Sequence, residues 1–225
     1  NQVRASKSSS DNAYVFGAPG QFKRTITGTI PQNQSSFTIK GSMPNPAEFF
    51  GQWLLDACLK AQIEFAQTPA VITYTTTELT GWLHTFRSPE LSDIVKETNM
   101  ESVNLFAELL LLQIGLKEKG FGSRKNGIET IVDYWKSRGL ALSESVLFDG
   151  SGLSRHNAIA PQQLALLIHK TLHGQNEEAF RNSLPVAGVS GSLSGMFHGT
   201  SAYRNLQAKS GYLHGVRSYT GFVKN

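Results

Sequence analysis

The segment from Leu206 to Val223 most constrains what this chain can fold into. It contains two runs of β-prone residues, Leu206–Leu213 and Val216–Val223, separated by His214-Gly215. Two such runs joined by a short connection that contains glycine predict a β-hairpin. The first predicted strand carries Lys209-Ser210-Gly211, which places a cation, a hydroxyl group and a residue without a side chain next to one another. The hairpin is therefore expected to carry chemistry as well as structure.

The composition is typical of a globular protein and limits the partners. The 225 residues are 40% hydrophobic and 17% charged, enough for one sizeable core and a smaller second domain. The net charge of +4 is spread along the chain, so an anionic polymer such as a cell wall is compatible and no nucleic-acid partner is expected. No apolar run approaches the roughly 18 residues of a membrane span. The single cysteine, Cys58, excludes an internal disulfide and is expected to be buried.

Residues 1–84 predict a β-rich region without obvious chemistry. Short β-branched and aromatic runs in YVFGAPG, RTITGTI and SFTIKGSM are punctuated by glycine and proline, which favours short antiparallel strands. Asn45-Pro46 predicts the start of a helix, with asparagine as the N-cap and proline in the first helical position. Val71–Thr77 predicts a further strand.

Residues 85–225 predict helices that flank a sheet. Ser102–Ile114 is apolar and too long for a strand, so it predicts a buried helix, and Asn126–Arg138 predicts a second. Turn-forming residues dominate Phe148–Asn157, and Pro161 begins a third helix. The expected fold class is α/β (α+β), an antiparallel sheet flanked by helices beside a β-rich region, which the resemblance described below implies is a partial accessory region.

The groups on the predicted strand match several needs of acyl transfer, which requires a nucleophile, a proton shuttle, an anion anchor and an oxyanion hole. Lys209 can supply positive charge and relay protons. Ser210 can donate its hydroxyl to a substrate carboxylate, and Gly211 lets a substrate lie close to the strand. The backbone N–H of Tyr212 is a candidate oxyanion donor.

Ser102-Val103-Asn104, at the start of the first predicted helix, offers a second set of groups. Ser102 can pass a proton to a leaving amine, and Asn104 can hold a substrate amide. Roughly one Ser-x-Asn arises by chance in a chain of this length, and a helix N-cap serine with a surface asparagine explains the bare triplet equally well. Ser10-Asp11-Asn12 lies in a polar segment with no apolar helix behind it, so we interpret it as a solvated loop.

Four other patterns favour structural roles. Gly191–Gly195 has a leucine where the serine of a Gly-x-Ser-x-Gly nucleophile elbow belongs. Asp149, near two serines of a glycine-rich loop, has no histidine in a recognisable pattern and is interpreted as a turn former. His169 and His173 have a spacing that metal ligands can have, but no third ligand is evident, which favours surface histidines. His214 is interpreted as a turn residue.

Taken together, these segments resemble the class C penicillin-binding proteins, the D-alanyl-D-alanine carboxypeptidase/endopeptidase family of serine peptidases. NMESVNLFAELLL is similar to the family's Ser-Asp-Asn helix start, with Val103 replacing the usual aspartate. FDGSGLSRHNAIAP is similar to its Asp-Gly-Ser-Gly-Leu-Ser loop. LPVAGVSGSLSGMFHGT followed by AKSGYLHGV is similar to the segment that leads into its Lys-Thr-Gly strand. TGTIP and NPAEFFGQWLLDACLKAQI resemble the end of the family's inserted accessory domains.

The resemblance implies a serine acyl-enzyme that β-lactams trap and that hydrolyses D-Ala-D-Ala bonds or D-amino-acid cross-links of peptidoglycan. It implies a periplasmic, extracytoplasmic location, peptidoglycan stem peptides as partners, and no metal or organic cofactor. The residues expected in the site are Ser102, Asn104 and Lys209 as catalytic groups, and Ser210, Gly211 and Tyr212 as substrate-binding groups.

The nucleophile motif of this family, Ser-x-x-Lys, does not occur in the 225 residues. The resemblance places it before residue 1 and continues the fold beyond residue 225, so the chain alone is expected to be inactive. Apolar surface left by absent strands would favour a homo-oligomer. Two alternatives stay open: a non-catalytic cell-wall-binding or scaffolding protein on the same fold, and an esterase or β-lactamase.

Overall fold

The computed structural model describes residues 1–7, 12–65, 84–142, 144–213 and 215–224. The chain divides into two compact units, Asn1–His84 and Thr85–Asn225. Among the described residues, the buried hydrophobic side chains other than proline all belong to the second unit: Leu111, Leu140, Leu142, Leu172, Leu184, Ala187, Leu193 and Ala208.

A three-stranded sheet occupies the first unit. It consists of β1 (Gln2–Ser6), β2 (Asn12–Phe16) and the central strand β3 (Thr25–Pro31). β2 pairs antiparallel with β3, as predicted. β1 pairs parallel with β3. The strand β1 was not predicted, because its sequence is largely polar. The strand predicted in SFTIKGSM is wrong, since residues 36–43 form none and no described strand pairs with them. Val71–Thr77 lies outside the described residues.

The helix α1 (Pro46–Lys60) begins where the sequence predicts. The Asn45 side chain accepts a hydrogen bond from the Glu48 N–H at 3.2 Å and donates one to the Glu48 carboxylate at 2.9 Å, which caps the helix. No residue of α1 is buried. Cys58 is therefore only half-buried, which corrects the prediction that it lies in the core.

The second unit combines helices with a β-hairpin. The strands β4 (Leu206–Leu213) and β5 (Val216–Val223) pair antiparallel with the predicted bounds, so the hairpin prediction is confirmed for the described residues. His214 lies outside them. The helices are α2 (Leu91–Met100), α3 (Asn104–Lys119), α4 (Arg124–Ser137), α5 (Pro161–Leu172) and α6 (Glu177–Ser183), followed by a single 3₁₀ turn at Gly191–Leu193.

The helix α3 differs from the prediction in its first residue and in its burial. It begins at Asn104 rather than Ser102, and only Leu111 and Gly115 are buried, so it is not the fully buried helix expected from its composition. α3 buries one side against α4, where a Cβ atom at Gly115 would come within 2.8 Å of the Gly127 backbone nitrogen. The two glycines therefore permit a close crossing of the helices.

The neighbours of β4 determine which of its edges is open. One edge pairs with β5, and the other begins against a short segment in which Pro185 O accepts from the Ala208 N–H at 3.0 Å and Ala187 N–H donates to Leu206 O at 2.9 Å. Alternate residues of a strand direct their backbone groups to the same edge. The N–H groups of Ser210 and Tyr212 therefore point to the same edge as that of Ala208, beyond the end of this short segment.

Candidate active site

The connection between α2 and α3 places a serine in an uncommon backbone conformation. Ser102 has φ 55°, in the left-handed region, and Val103 is extended and forms the N-cap of α3. A non-glycine residue in this region costs roughly 1–2 kcal/mol. The conformation brings the Ser102 hydroxyl to β4 and leaves Asn104 as the first residue of the helix.

Lys209 connects this junction to the strand. Its ammonium group donates to Ser102 Oγ at 2.8 Å and to the Ser210 carbonyl oxygen at 2.6 Å. Both acceptors are neutral, and the described residues show no salt bridge to Lys209. Because partial burial removes water without supplying a countercharge, the pKa of Lys209 lies below its ordinary value.

The hydrogen-bonding capacity of these groups leaves protons available for a reaction. An ammonium group has three N–H donors, and Lys209 uses two of them on described residues, which leaves one for a ligand. Since Lys209 donates to Ser102, the Ser102 hydroxyl acts as an acceptor in that bond and can still donate its own proton elsewhere. The pair can therefore relay a proton without a histidine.

Ser210 makes a contact with the 3₁₀ turn behind the strand. Its Oγ lies 2.9 Å from the Ser192 Oγ, and either hydroxyl can be the donor. Tyr212, two residues further along, has an exposed ring that lies 5.2 Å from the guanidinium carbon of Arg217 on β5. Gly211 lies opposite Ser218 in the hairpin register.

The second unit contains a groove of about 650 Å³. All six residues predicted for the site lie along it, and the Asn104 amide makes no hydrogen bond with any described residue. The lining comes from α2, the start of α3, the loop before α5, α5, and the two strands: Thr98, Asn99, Ser102, Val103, Asn104, Ala107, Gly150, Ser151, Gly152, Leu153, Leu164, Lys209, Ser210, Gly211, Tyr212, Leu213, Val216, Ser218 and Thr220.

Asp149 organises the loop on the far side of the groove. Its carboxylate accepts hydrogen bonds from Gly152 N–H at 2.7 Å, Ser154 N–H at 2.6 Å and the Asn157 amide at 2.8 Å. Partial burial raises the pKa of Asp149, but these hydrogen bonds outweigh it and the net pKa lies below the ordinary value. The predicted role of Asp149 as a turn former is confirmed.

Glu108 ties the same loop to α3. One carboxylate oxygen accepts from the Ser151 N–H at 3.2 Å and from the Ser151 hydroxyl at 2.7 Å, and the other accepts from Arg124 Nε at 3.0 Å. Burial raises the pKa of Glu108, but the hydrogen bonds together with the Arg124 charge lower it by more, so that the net pKa is below the ordinary value. A Cβ atom at Gly150 would meet Ala107 O at 2.6 Å, so the loop lies directly on the helix.

The sequence did not single out Glu108 or Ser192. The signal for Glu108 was that it is the one acidic residue of the apolar run Ser102–Ile114. The signal for Ser192 lay in the GSLSG segment, which was considered only as an incomplete nucleophile elbow. His169 and His173 are exposed, with rings 4.3 Å apart. The described residues hold no cluster of three or more His, Cys, Asp or Glu side chains arranged for a metal ion.

No helix in the described ranges has the length and apolar character that crossing a lipid bilayer requires.

Comparison with known proteins gives a family match over the whole chain. Residues 1–225 match the family model described as the D-Ala-D-Ala carboxypeptidase 3 (S13) family. A D-alanyl-D-alanine carboxypeptidase of Actinomadura sp. (strain R39) is 28% identical over 235 residues, which cover 99% of this chain and 43% of that protein. The penicillin-sensitive carboxypeptidase A of Dictyostelium discoideum is 35% identical over 139 residues, which cover 60% of this chain and 27% of that protein.

The fold is also similar to a solved structure. The crystal structure of penicillin binding protein 4 from Haemophilus influenzae in complex with a β-lactam has a TM-score of 0.79 and 22% identity, and the match covers 100% of this chain and 53% of that chain. This likeness shows the penicillin-binding α/β fold. The chain spans less than half the length of the two curated relatives described above.

Proposed function

Because this chain belongs to the D-Ala-D-Ala carboxypeptidase 3 (S13) family, we propose that the full-length protein is a serine-type D-Ala-D-Ala carboxypeptidase or endopeptidase. Its substrates are the stem peptides of peptidoglycan. β-Lactams inhibit it by acylating the nucleophilic serine that also attacks these substrates. This substrate implies an extracytoplasmic, periplasmic location. We further propose that residues 1–84 are part of an inserted accessory domain and that residues 85–225 are the C-terminal portion of the transpeptidase-like domain.

The observation that carries the proposal is the 2.8 Å hydrogen bond between Lys209 Nζ and Ser102 Oγ. The two residues are far apart in the chain, yet they meet in a groove that also contains Asn104. A lysine that has a lowered pKa and contacts a hydroxyl group in a groove is suited to proton transfer.

In the acylation step, a serine oxygen of the full-length protein attacks the carbonyl carbon of the penultimate D-alanine. The C–N bond to the terminal D-alanine breaks, and the proton of the attacking serine reaches the leaving nitrogen through Ser102 and Lys209. Asn104, at the first position of α3, holds the amide of the substrate backbone with its side chain, which has no hydrogen-bond partner among the described residues.

The strand side of the groove binds the substrate during this step. The Ser210 hydroxyl and the third N–H of Lys209 bind the terminal carboxylate, and charge-assisted hydrogen bonds of this kind are among the stronger ones. Gly211 lets the peptide approach the open edge of β4. The Tyr212 N–H points to that edge and donates to the oxyanion that forms on the carbonyl oxygen.

The test uses the full-length protein, a fluorescent penicillin and a peptide ending in D-Ala-D-Ala. We expect a covalent label that survives denaturation, release of D-alanine, and a loss of about 10²- to 10⁴-fold in both rates in S102A. S92A is the matched control, because Ser92 is an exposed serine of α2, and it should keep wild-type rates.

Two outcomes contradict the proposal. Absence of both label and D-alanine release would indicate the non-catalytic scaffold, and rapid turnover of the β-lactam without trapping would indicate a β-lactamase.

A further inference from the structure

We infer that Ser192 is a positioning residue that orients the Ser210 hydroxyl toward a substrate carboxylate. The inference rests on the proposed function, because it assigns the direction of a hydrogen bond within that site. Its basis is the 2.9 Å contact between the two hydroxyl oxygens, which joins the 3₁₀ turn to the strand β4. Ser192 itself does not line the groove, so it acts through Ser210.

The backbone around Ser192 holds its side chain in place. Gly191 has φ 54°, and a Cβ atom there would come within 2.7 Å of Met100 O, so the turn lies against the end of α2. Leu193 is fully buried, and its carbonyl oxygen accepts from the N–H groups of Gly188 at 2.9 Å and Met196 at 3.0 Å. Ser192 lies between these two fixed residues and has little freedom to leave Ser210.

The direction of the hydrogen bond follows from the chemistry of the bound ligand. A hydroxyl group has one proton to donate, and an ionised carboxylate can only accept. Ser210 must therefore direct its proton to the carboxylate when a substrate is bound, and its oxygen is then free to accept the proton of Ser192. This chain of two hydroxyl groups fixes the rotation of Ser210 and polarises its O–H bond.

The same turn also contacts the part of the chain that carries Ser102. Met100, against which Gly191 packs, precedes Ser102 by two residues. The 3₁₀ turn thus contacts both the helix end that leads to Ser102 and the strand that carries Ser210. A purely structural role of this packing would affect every ligand equally, whereas the orienting role of the Ser192 hydroxyl affects only ligands with a carboxylate.

The experiment compares acylation of the full-length protein by a penicillin and by the methyl ester of the same penicillin, which has no carboxylate charge. We expect S192A to slow acylation by the free acid about 3- to 10-fold, as the loss of one hydrogen bond allows, and to leave the rate with the ester unchanged. S192T, which keeps the hydroxyl, should restore the wild-type ratio of acid to ester. S194A is the matched control, because Ser194 follows the same turn and is exposed.

A double-mutant cycle gives an independent readout that does not depend on the stability of one variant. If Ser192 acts through Ser210, then S192A should have no further effect on the acid in an S210A background. Equal losses for acid and ester, or additive effects in the cycle, would overturn the inference while leaving the proposed function intact. If the wild-type protein is not labelled by either compound, the proposed function fails and the inference fails with it.

Discussion

The loop side of the groove is formed by residues 150–153. The carboxylates of Glu108 and Asp149, which lie behind this lining, each accept several hydrogen bonds. On the strand side, formed by residues 209–213, the ammonium group of Lys209 has only neutral oxygens as partners among the described residues. All three pKa values are lowered. A lowered pKa means that the surroundings stabilise the charged form of each carboxylate, whereas for the lysine it means that they destabilise the charged form.

The difference indicates a division of labour across the groove. Ionised carboxylates that accept backbone and hydroxyl donors fix the shape of a loop, and the cost of burying them is offset by those bonds. A half-buried ammonium group without a countercharge gives up its proton more readily than a solvated one, which favours proton transfer over stability. Mutations on the loop side are therefore expected to change mainly the stability of the fold, and mutations on the strand side mainly the acylation rate.

The largest expected effect tests the strand side. K209A in the full-length protein should lower the rate of acylation by a penicillin about 10²- to 10⁴-fold. The reason is that it removes the ammonium group that contacts Ser102 and binds the carboxylate of the penicillin. Thermal unfolding should change little, since a lysine without an ionic partner contributes little to stability. The measurements are labelling kinetics with fluorescent penicillin and a melting curve for the same preparation.

K224A is the control for K209A. Lys224 follows β5, is exposed, and lies outside the groove lining, so its removal should leave the acylation rate unchanged. A K209A protein that unfolds at a much lower temperature than wild type while keeping its acylation rate would reverse the division of labour proposed here.

The sequence predicted the fold best where local patterns are strong. The bounds of β4 and β5 followed from two β-prone runs around a short connection, and the start of α1 followed from Asn45-Pro46. α2 was not predicted, although Leu91, Ile94 and Val95 in LSDIVKETNM recur at helical spacing, because most of its ten residues are polar. The parallel pairing of β1 with β3 depends on contacts between distant residues, which no local pattern reports.

The candidate site was predictable only in part. The residue types at positions 102, 104 and 209–212 indicated acyl-transfer chemistry, and the resemblance to a known family placed them together. The 2.8 Å contact between Lys209 and Ser102 could not be derived, because it depends on the left-handed conformation of Ser102 and on the packing of α2. Ser192 and Glu108 act through hydrogen bonds to other site residues, and such partners have no sequence motif of their own.

An intermediate effect is expected on the loop side. D149N should destabilise the domain by about 1–3 kcal/mol, because a neutral amide with one acceptor oxygen replaces a carboxylate that accepts three hydrogen bonds. Acylation should fall by less than tenfold, since Asp149 does not line the groove itself. Urea denaturation measures the first quantity and penicillin labelling the second.

The pH dependence of the free energy of unfolding tests whether the charge of Asp149 provides this stabilisation. Since the pKa of Asp149 is lower in the folded state than in the unfolded state, the stabilisation is complete above the unfolded value of about 4 and is lost as the pH falls through the folded value. The difference between wild type and D149N should therefore be full at pH 7 and shrink below about pH 4. D133N is the control, because Asp133 is 70% exposed and lies 3.9 Å from Lys119. A difference that persists at low pH would show that packing, rather than charge, is responsible.

The smallest expected effect separates the two kinds of bond to Glu108. R124A removes the 3.0 Å ion pair but leaves the N–H and hydroxyl of Ser151 on the other carboxylate oxygen. Because the Arg124 side chain is 62% exposed, its loss should cost only about 0.2–1 kcal/mol, and the cost should fade in about 1 M salt. Acylation should stay at the wild-type rate, as should that of K125A, which removes an even more exposed pair. If R124A instead slowed acylation or cost more than about 2 kcal/mol, the ion pair would be needed to hold Glu108 in its bonds to Ser151, and the loop side would depend on a surface charge after all.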